Sequence, residues 1–139
     1  MAAPEQLTAI FFQPTTTPGY TTMITEAAKG AQQAGWDTDV SVNFGHVEDL
    51  LQPDEPGALV TYMRKDQQFA GDRSTLMLIR IARELRIPTA LISPSPALRR
   101  IINEFDGVDP TPHKFLNVFT PDSAGKSVSR WLKTLLEAV

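Results

Sequence analysis

The chain has 139 residues, 42% of them hydrophobic and 21% charged, with a net charge of −3 from 13 Lys plus Arg and 16 Asp plus Glu. That is the size of one domain with one core, and the slight acidity excludes the basic face that a nucleic-acid binder needs. There is no cysteine, which excludes disulfides, thiolate metal sites and a cysteine nucleophile, and the two histidines, His46 and His113, stand in no metal-ligand spacing.

In chain order, Leu7 to Phe12 is an apolar run of strand formers, stopped by Gln13-Pro14 and a Thr/Pro/Gly loop. From Tyr20 onward Met23, Ile24, Ala27, Ala28 and Ala31 recur at helical spacing, and Gly35 is placed to close that helix as its C′ residue. Val40, Val42 and Phe44 then alternate with Asp39, Ser41 and Asn43, which predicts a strand with one poorly protected face, at an edge of the sheet. His46 to Gln52 allows a short helix, broken by Pro53 to Gly57.

Ala58 to Met63 reads as a third strand, and Ser74 to Leu85 as a third helix whose buried stripe is Leu78, Ile81, Ala82 and Leu85. Thr89 to Ser93 is a fourth strand. Ser95 then stands as an N-cap before Pro96 and an apolar face of Leu98, Ile101, Ile102 and Phe105. Phe115 to Phe119 is a fifth strand, and Asp122 or Ser123 caps a last helix with Val128, Trp131, Leu132, Leu135 and Val139 on one side.

Strands that alternate with helices require a mostly parallel sheet with helices on both faces, because parallel neighbours need crossover connections. The expected architecture is a single α/β three-layer domain, Rossmann-like, with the flavodoxin-like strand order 2-1-3-4-5 and its crevice between strands one and three. No apolar stretch approaches the ~20 residues of a membrane span, and the opening residues lack a basic segment followed by an apolar run, so a cytoplasmic protein is expected.

The loops due to line that crevice run from Gln13 to Thr22, from Tyr62 to Thr75 and from Pro94 to Ala97. Thr15, Thr16, Thr17, Gly19 and Tyr20 offer hydroxyls and backbone N–H groups ahead of a helix, which suits a phosphate. Arg64 and Arg73, with Lys65, suit a phosphate or carboxylate, and arginine can bind one bidentately. Tyr62 offers a stacking face for a base or isoalloxazine ring, the plainer reading being packing at a strand end. Asp72, Ser74 and Thr75 gather where the third helix begins, and Ser95 faces the same crevice from the fourth strand's end. For Asp72 the plainer role is helix capping.

Two resemblances bear on the ligand. The Thr-rich loop resembles the phosphate loop of flavodoxins, which would imply FMN, although Pro18 stands where that loop has a Thr before its Gly and removes one N–H donor. Ile10 to Pro14, with Asp72-Arg73-Ser74-Thr75-Leu76-Met77-Leu78, Ala82 and Pro88, resembles the nucleoside 2-deoxyribosyltransferase-like group and its TIR-related kin. That resemblance implies a nucleoside or nucleotide ligand. It also places Leu78 where the family has its catalytic Glu, so glycosyl transfer is not expected. Receiver domains share this fold class but need acidic residues at the end of strand one, where Phe12-Gln13-Pro14 supplies none.

Three functions follow as expectations: a nucleoside- or nucleotide-binding protein without efficient glycosyl transfer, an FMN-binding redox module, and a ligand-free interaction module using a face that includes Trp36 and Trp131. No catalytic residue and no metal ligand is assigned. The expected partner is a small phosphate- or ribose-containing molecule, with no nucleic acid and no membrane, and self-association as a further option.

Overall fold

The computed structural model describes residues 7–14, 18–52, 57–62, 70–92, 116–119 and 124–137, with the backbone alone described for 18–20, 70–73, 116, 118, 124 and 137. Strand β1 (Thr8–Phe12) forms because four successive apolar side chains, Ala9 to Phe12, are buried on both faces of the sheet. Around it lie β2 (Asp37–Ser41), β3 (Ala58–Tyr62), β4 (Thr89–Ile92) and β5 (Leu116–Phe119). Every pairing is parallel and the order is β2-β1-β3-β4, with β5 hydrogen-bonded along β4. The first four strands thus lie in the order expected from the sequence.

The helices are α1 (Pro18–Ala34), α2 (Phe44–Leu50), α3 (Ala70–Glu84) and α4 (Ala124–Glu137). Residue alternation along the strands sorts the core into two layers. Ala9, Phe11, Val60, Tyr62 and Ile92 pack with Ile24, Ala27 and Ala31 of α1 and with Val128 and Leu132 of α4. On the opposite face Ile10, Phe12 and Leu59 pack with Val47 of α2 and with Leu78 and Ala82 of α3. Leu78, Ile81, Ala82 and Leu85 thus form the stripe read from their spacing, Leu78 and Ala82 fully buried and the other two partly.

Helices α1 and α3 close with the same pair of bonds. Gly35, at φ 110°, donates to Gln32 O at 3.1 Å, and Trp36 N–H donates to Ala31 O at 2.9 Å, satisfying two orphan carbonyls of α1. Arg86, at φ 60°, ends α3 in the same way, with Ile87 N–H on Ala82 O at 2.8 Å. At Gly35 the absence of a Cβ makes the left-handed backbone inexpensive.

Four boundaries differ from the sequence reading. β2 spans Asp37–Ser41 instead of running to Phe44, because Asn43 caps the next helix: its side chain accepts from His46 N–H at 3.0 Å, and Phe44 is already helical. α2 accordingly starts two residues before His46. α1 begins at Pro18, so Tyr20, Thr21 and Thr22 belong to the helix and not to the loop. α3 begins at Ala70, one turn before Ser74. The helix expected from Ser95 to Phe105 lies outside the described residues.

β2 is at the edge, as its polar alternation indicated, and Val40 within it and Val42 just after it are 43% and 57% exposed. Trp36 corrects a further expectation. Proposed from the sequence as part of an exposed face, it is 1% exposed and donates from Nε1 to Leu132 O at 3.0 Å. Trp131 is partly buried, with its ring 6.2 Å from that of Phe119.

The Asn43 cap gives a first test. Asn43→Ala removes the acceptor for His46 N–H, and stability is expected to fall by about 1 kcal/mol, read from urea denaturation. Asn43→Asp should retain most of it.

Candidate functional site

A right-handed crossover from β1 to β2 and another from β3 to β4 run in opposite directions across the sheet, so their helices fall on opposite faces. That is the arrangement found: α1 packs in one layer and α3 in the other, while β1 and β3 lie side by side. The carboxyl ends of these two strands are the topological switch point, where folds of this kind place a ligand crevice. α1 follows β1 and α3 follows β3 in the chain, and their first-turn N–H groups have no partner within the helix. Each helix start carries the positive end of a helix dipole, which favours an anion beside it.

Side chains hold each helix start to its strand. After β1, Gln13 N–H donates to Ser41 O at 2.8 Å, which carries the β1–β2 pairing one residue past Phe12. The Gln13 side chain is only 8% exposed, and its Oε1 accepts from Thr21 Oγ1 in α1 at 3.3 Å. After β3, Thr75 Oγ1 donates to Tyr62 O at 3.2 Å and lies 3.3 Å from Thr61 Oγ1. A hydroxyl has one proton to give, so with Thr75 donating to Tyr62, Thr61 is the donor to Thr75. All three residues are fully buried.

Several residues read from the sequence are thereby placed. Gly19 and Tyr20 are in the first turn of α1, where their backbone N–H groups belong to the unpaired set; Pro18, at the first helical position, gives up an N–H that has no helical partner anyway. Asp72 and Arg73 are in the first turn of α3. Ser74 and Thr75 are not where the helix begins but one turn inside it, which corrects their expected role as its opening polar pair. Thr75 faces inward and ties α3 to β3. Tyr62 takes the packing role: its side chain belongs to the layer under α1 and α4 and is fully buried, so it presents no stacking face. Thr15, Thr16, Thr17, Arg64, Lys65 and Ser95 lie outside the described residues.

Leu78, at the position where the deoxyribosyltransferase-like resemblance has its nucleophile, is fully buried against Ile10, Phe12 and Leu59. An aliphatic side chain in the core supplies no nucleophile there.

Gln13, Thr21 and Thr61 are not among the residues singled out from the sequence. For Gln13 a signal existed: a polar residue that directly follows four buried strand residues at the carboxyl end of a central strand is carried to the crevice by the strand itself. Among the described residues no group of three or more His, Asp or Glu is positioned to hold a metal ion, and no helix is long and apolar enough to cross a membrane.

No family model matches the chain, and no curated protein matches it in sequence. Solved structures do. The chain is similar to a Streptococcus pneumoniae TIGR4 flavodoxin, with a TM-score of 0.58 and 15% identity over 96% of this chain and 99% of that one. It is also similar to a CheY-like response regulator receiver domain protein from Methanospirillum hungatei JF-1, with a TM-score of 0.55 and 6% identity over 97% of this chain and 100% of that one. At such identities the likeness establishes the flavodoxin-like α/β fold, common to flavodoxin and receiver, and nothing finer.

Proposed function

We propose that the chain is a small nucleotide-binding domain that takes a phosphate- or ribose-containing molecule at the carboxyl ends of β1 and β3. The observation that carries this reading is that α1 and α3, which follow two adjacent parallel strands, pack on opposite faces of the sheet, the topology at which α/β folds take ligands. The surrounding sequence supports it: Thr15, Thr16 and Thr17 precede one helix, and Arg64, Asp72 and Arg73 precede or open the other. Ribose hydroxyls suit Asp72, and phosphate oxygens suit the N–H groups and the arginines. Glycosyl transfer is not part of the proposal, since Leu78 is a core residue.

FMN is the alternative ligand within this class, supported by the Thr-rich loop Thr15-Thr16-Thr17 ahead of α1. The absence of an exposed ring at Tyr62 places the demand for stacking on other residues.

Thermal unfolding in the presence of nucleosides, AMP, NAD and FMN tests the proposal. A ligand present at a hundredfold its Kd stabilises the folded state by about 2.7 kcal/mol. At least one of these molecules is expected to raise the transition temperature by several degrees, and FMN, if it binds, to lose fluorescence on titration. A transition that stays flat against every one of them at millimolar concentration contradicts the reading.

A further inference from the structure

We infer that the outer edge of β2 receives an extended, basic segment of a partner protein, which adds to the sheet as a further strand with its apolar residues beside Val40 and its lysine or arginine residues beside Asp37 and Asp39.

The pairing register fixes which main-chain groups face outward. Asp37 N–H donates to Leu7 O at 2.8 Å and Gln13 N–H to Ser41 O at 2.8 Å, so the odd-numbered residues of β2 turn their main-chain groups toward β1. Thr38 and Val40 therefore turn their N–H and C=O groups away from the sheet, and among the described residues no main-chain group bonds them. Among the described strands β2 ends the sheet on this side, and it contains neither the proline nor the lysine that commonly blocks an edge. The strand is also braced from both faces: Gln32 Nε2 of α1 donates to Thr38 Oγ1 at 2.7 Å, and His46 Nε2 of α2 lies 3.2 Å from Asp39 Oδ2. An open ladder on a braced strand is the surface that strand addition uses.

The side chains select the occupant. Val40 is 43% exposed, which keeps apolar surface in water on one face of the edge, while Asp37 and Asp39 belong to the other face. Between Lys29 and Arg64 the chain has no lysine or arginine, and this stretch includes both β2 and α2, where Glu48 and Asp49 are exposed. Charge complementarity thus calls for a strand that alternates basic and apolar residues, the apolar ones opposite Val40 and the cations opposite the aspartates. The same charges disfavour a second copy: antiparallel self-pairing about Thr38 or Asp39 would set aspartate opposite aspartate.

The probe is the blocked peptide acetyl-Lys-Val-Lys-Val-Lys-Val-Lys-amide, titrated into the full chain by calorimetry and followed through amide nitrogen–proton shifts. It is expected to bind and to move the Thr38 and Val40 resonances most. Methylating its valine nitrogens removes the N–H groups that would face β2, and is expected to weaken it at least about tenfold. The counterpart with Glu for every Lys should also bind at least about tenfold more weakly. Val40→Pro deletes one outward N–H and no bond to β1, and is expected to weaken the Lys peptide about fivefold; the methylated peptide carries the test if that variant does not fold by circular dichroism. Equal affinity for the Lys and Glu peptides, or no loss on methylation, overturns the proposal, as does a Lys peptide that does not bind at millimolar concentration. A dimer of the chain alone in sedimentation, abolished by Val40→Pro, also overturns it, because a second copy then takes the edge.

Discussion

Trp36→Ala is expected to lower the stability of the folded chain by about 3–5 kcal/mol, the range for deleting a large buried aromatic side chain. Trp36 is 1% exposed and lies among Ala31, Ala58 and Leu132, so its removal leaves a cavity that elements from both ends of the chain would have to fill. Its Nε1 bond to Leu132 O, at 3.0 Å, joins residues 96 apart in sequence and ties the turn after α1 to α4. The ring also closes on Gly57, where a Cβ would stand 2.9 Å from Cζ3, so no neighbouring side chain can move in from that side without displacing backbone. Trp36→Phe keeps most of the apolar burial and loses the hydrogen bond, and should cost about 1–3 kcal/mol. Urea denaturation followed by circular dichroism separates these values, and a Trp36→Ala variant within 1 kcal/mol of wild type on the scale of core deletions would contradict the burial described.

Gly30→Ala is expected to destabilise by about 2 kcal/mol, against the general rule for helices. In an exposed helix interior the same change gains about 1 kcal/mol, because alanine loses less backbone entropy. At Gly30 the added Cβ would lie 1.9 Å from Ser129 Oγ and 2.7 Å from Ser129 Cβ. The hydroxyl can swing away at the loss of its 2.7 Å bond to Gly125 O, but the Cβ cannot move unless α4 moves with it. Overpacking of this kind costs about 1–3 kcal/mol, and at such short separations the upper end applies. A Gly30→Ala/Ser129→Gly double variant should recover part of the loss beyond the sum of the single changes, since the two sites share one contact. A stabilised Gly30→Ala variant would mean that α1 and α4 do not approach closely.

These two positions also show what could and could not be read in advance. β1, β3 and β4 were legible as short runs dominated by apolar residues, and β2 by its alternation with polar residues. The order of the first four strands followed from the need for crossovers between parallel neighbours. Asn43 shows where local chemistry overrode periodicity: Val40, Val42 and Phe44 keep a period of two, yet the Asn43 side chain caps α2 and ends the strand at Ser41. Trp36 was unreadable for a different reason. Its burial depends on α4, nearly a hundred residues away, and no local pattern contains that contact.

The crevice was legible as a place, since strand order alone locates the switch point. Its composition was less so. Thr75 and Tyr62 stand in the expected loop by sequence, but a strand's alternation and one extra turn of α3 put both side chains inside. Gln13, by contrast, looked like the end of a strand and a hindrance to a receiver-type acidic site. Its buried amide on Thr21 is what brings a polar group to the start of α1.

The most direct test of the account is a titration of isotope-labelled protein with AMP or FMN, followed residue by residue through amide nitrogen–proton chemical shifts. Binding at the switch point predicts that the largest changes gather at Gln13, Thr21 and the first turns of α1 and α3, with β2 and the far half of α4 unmoved. Changes centred on the β2 edge around Val40 and Val42, or none at millimolar ligand, would contradict it.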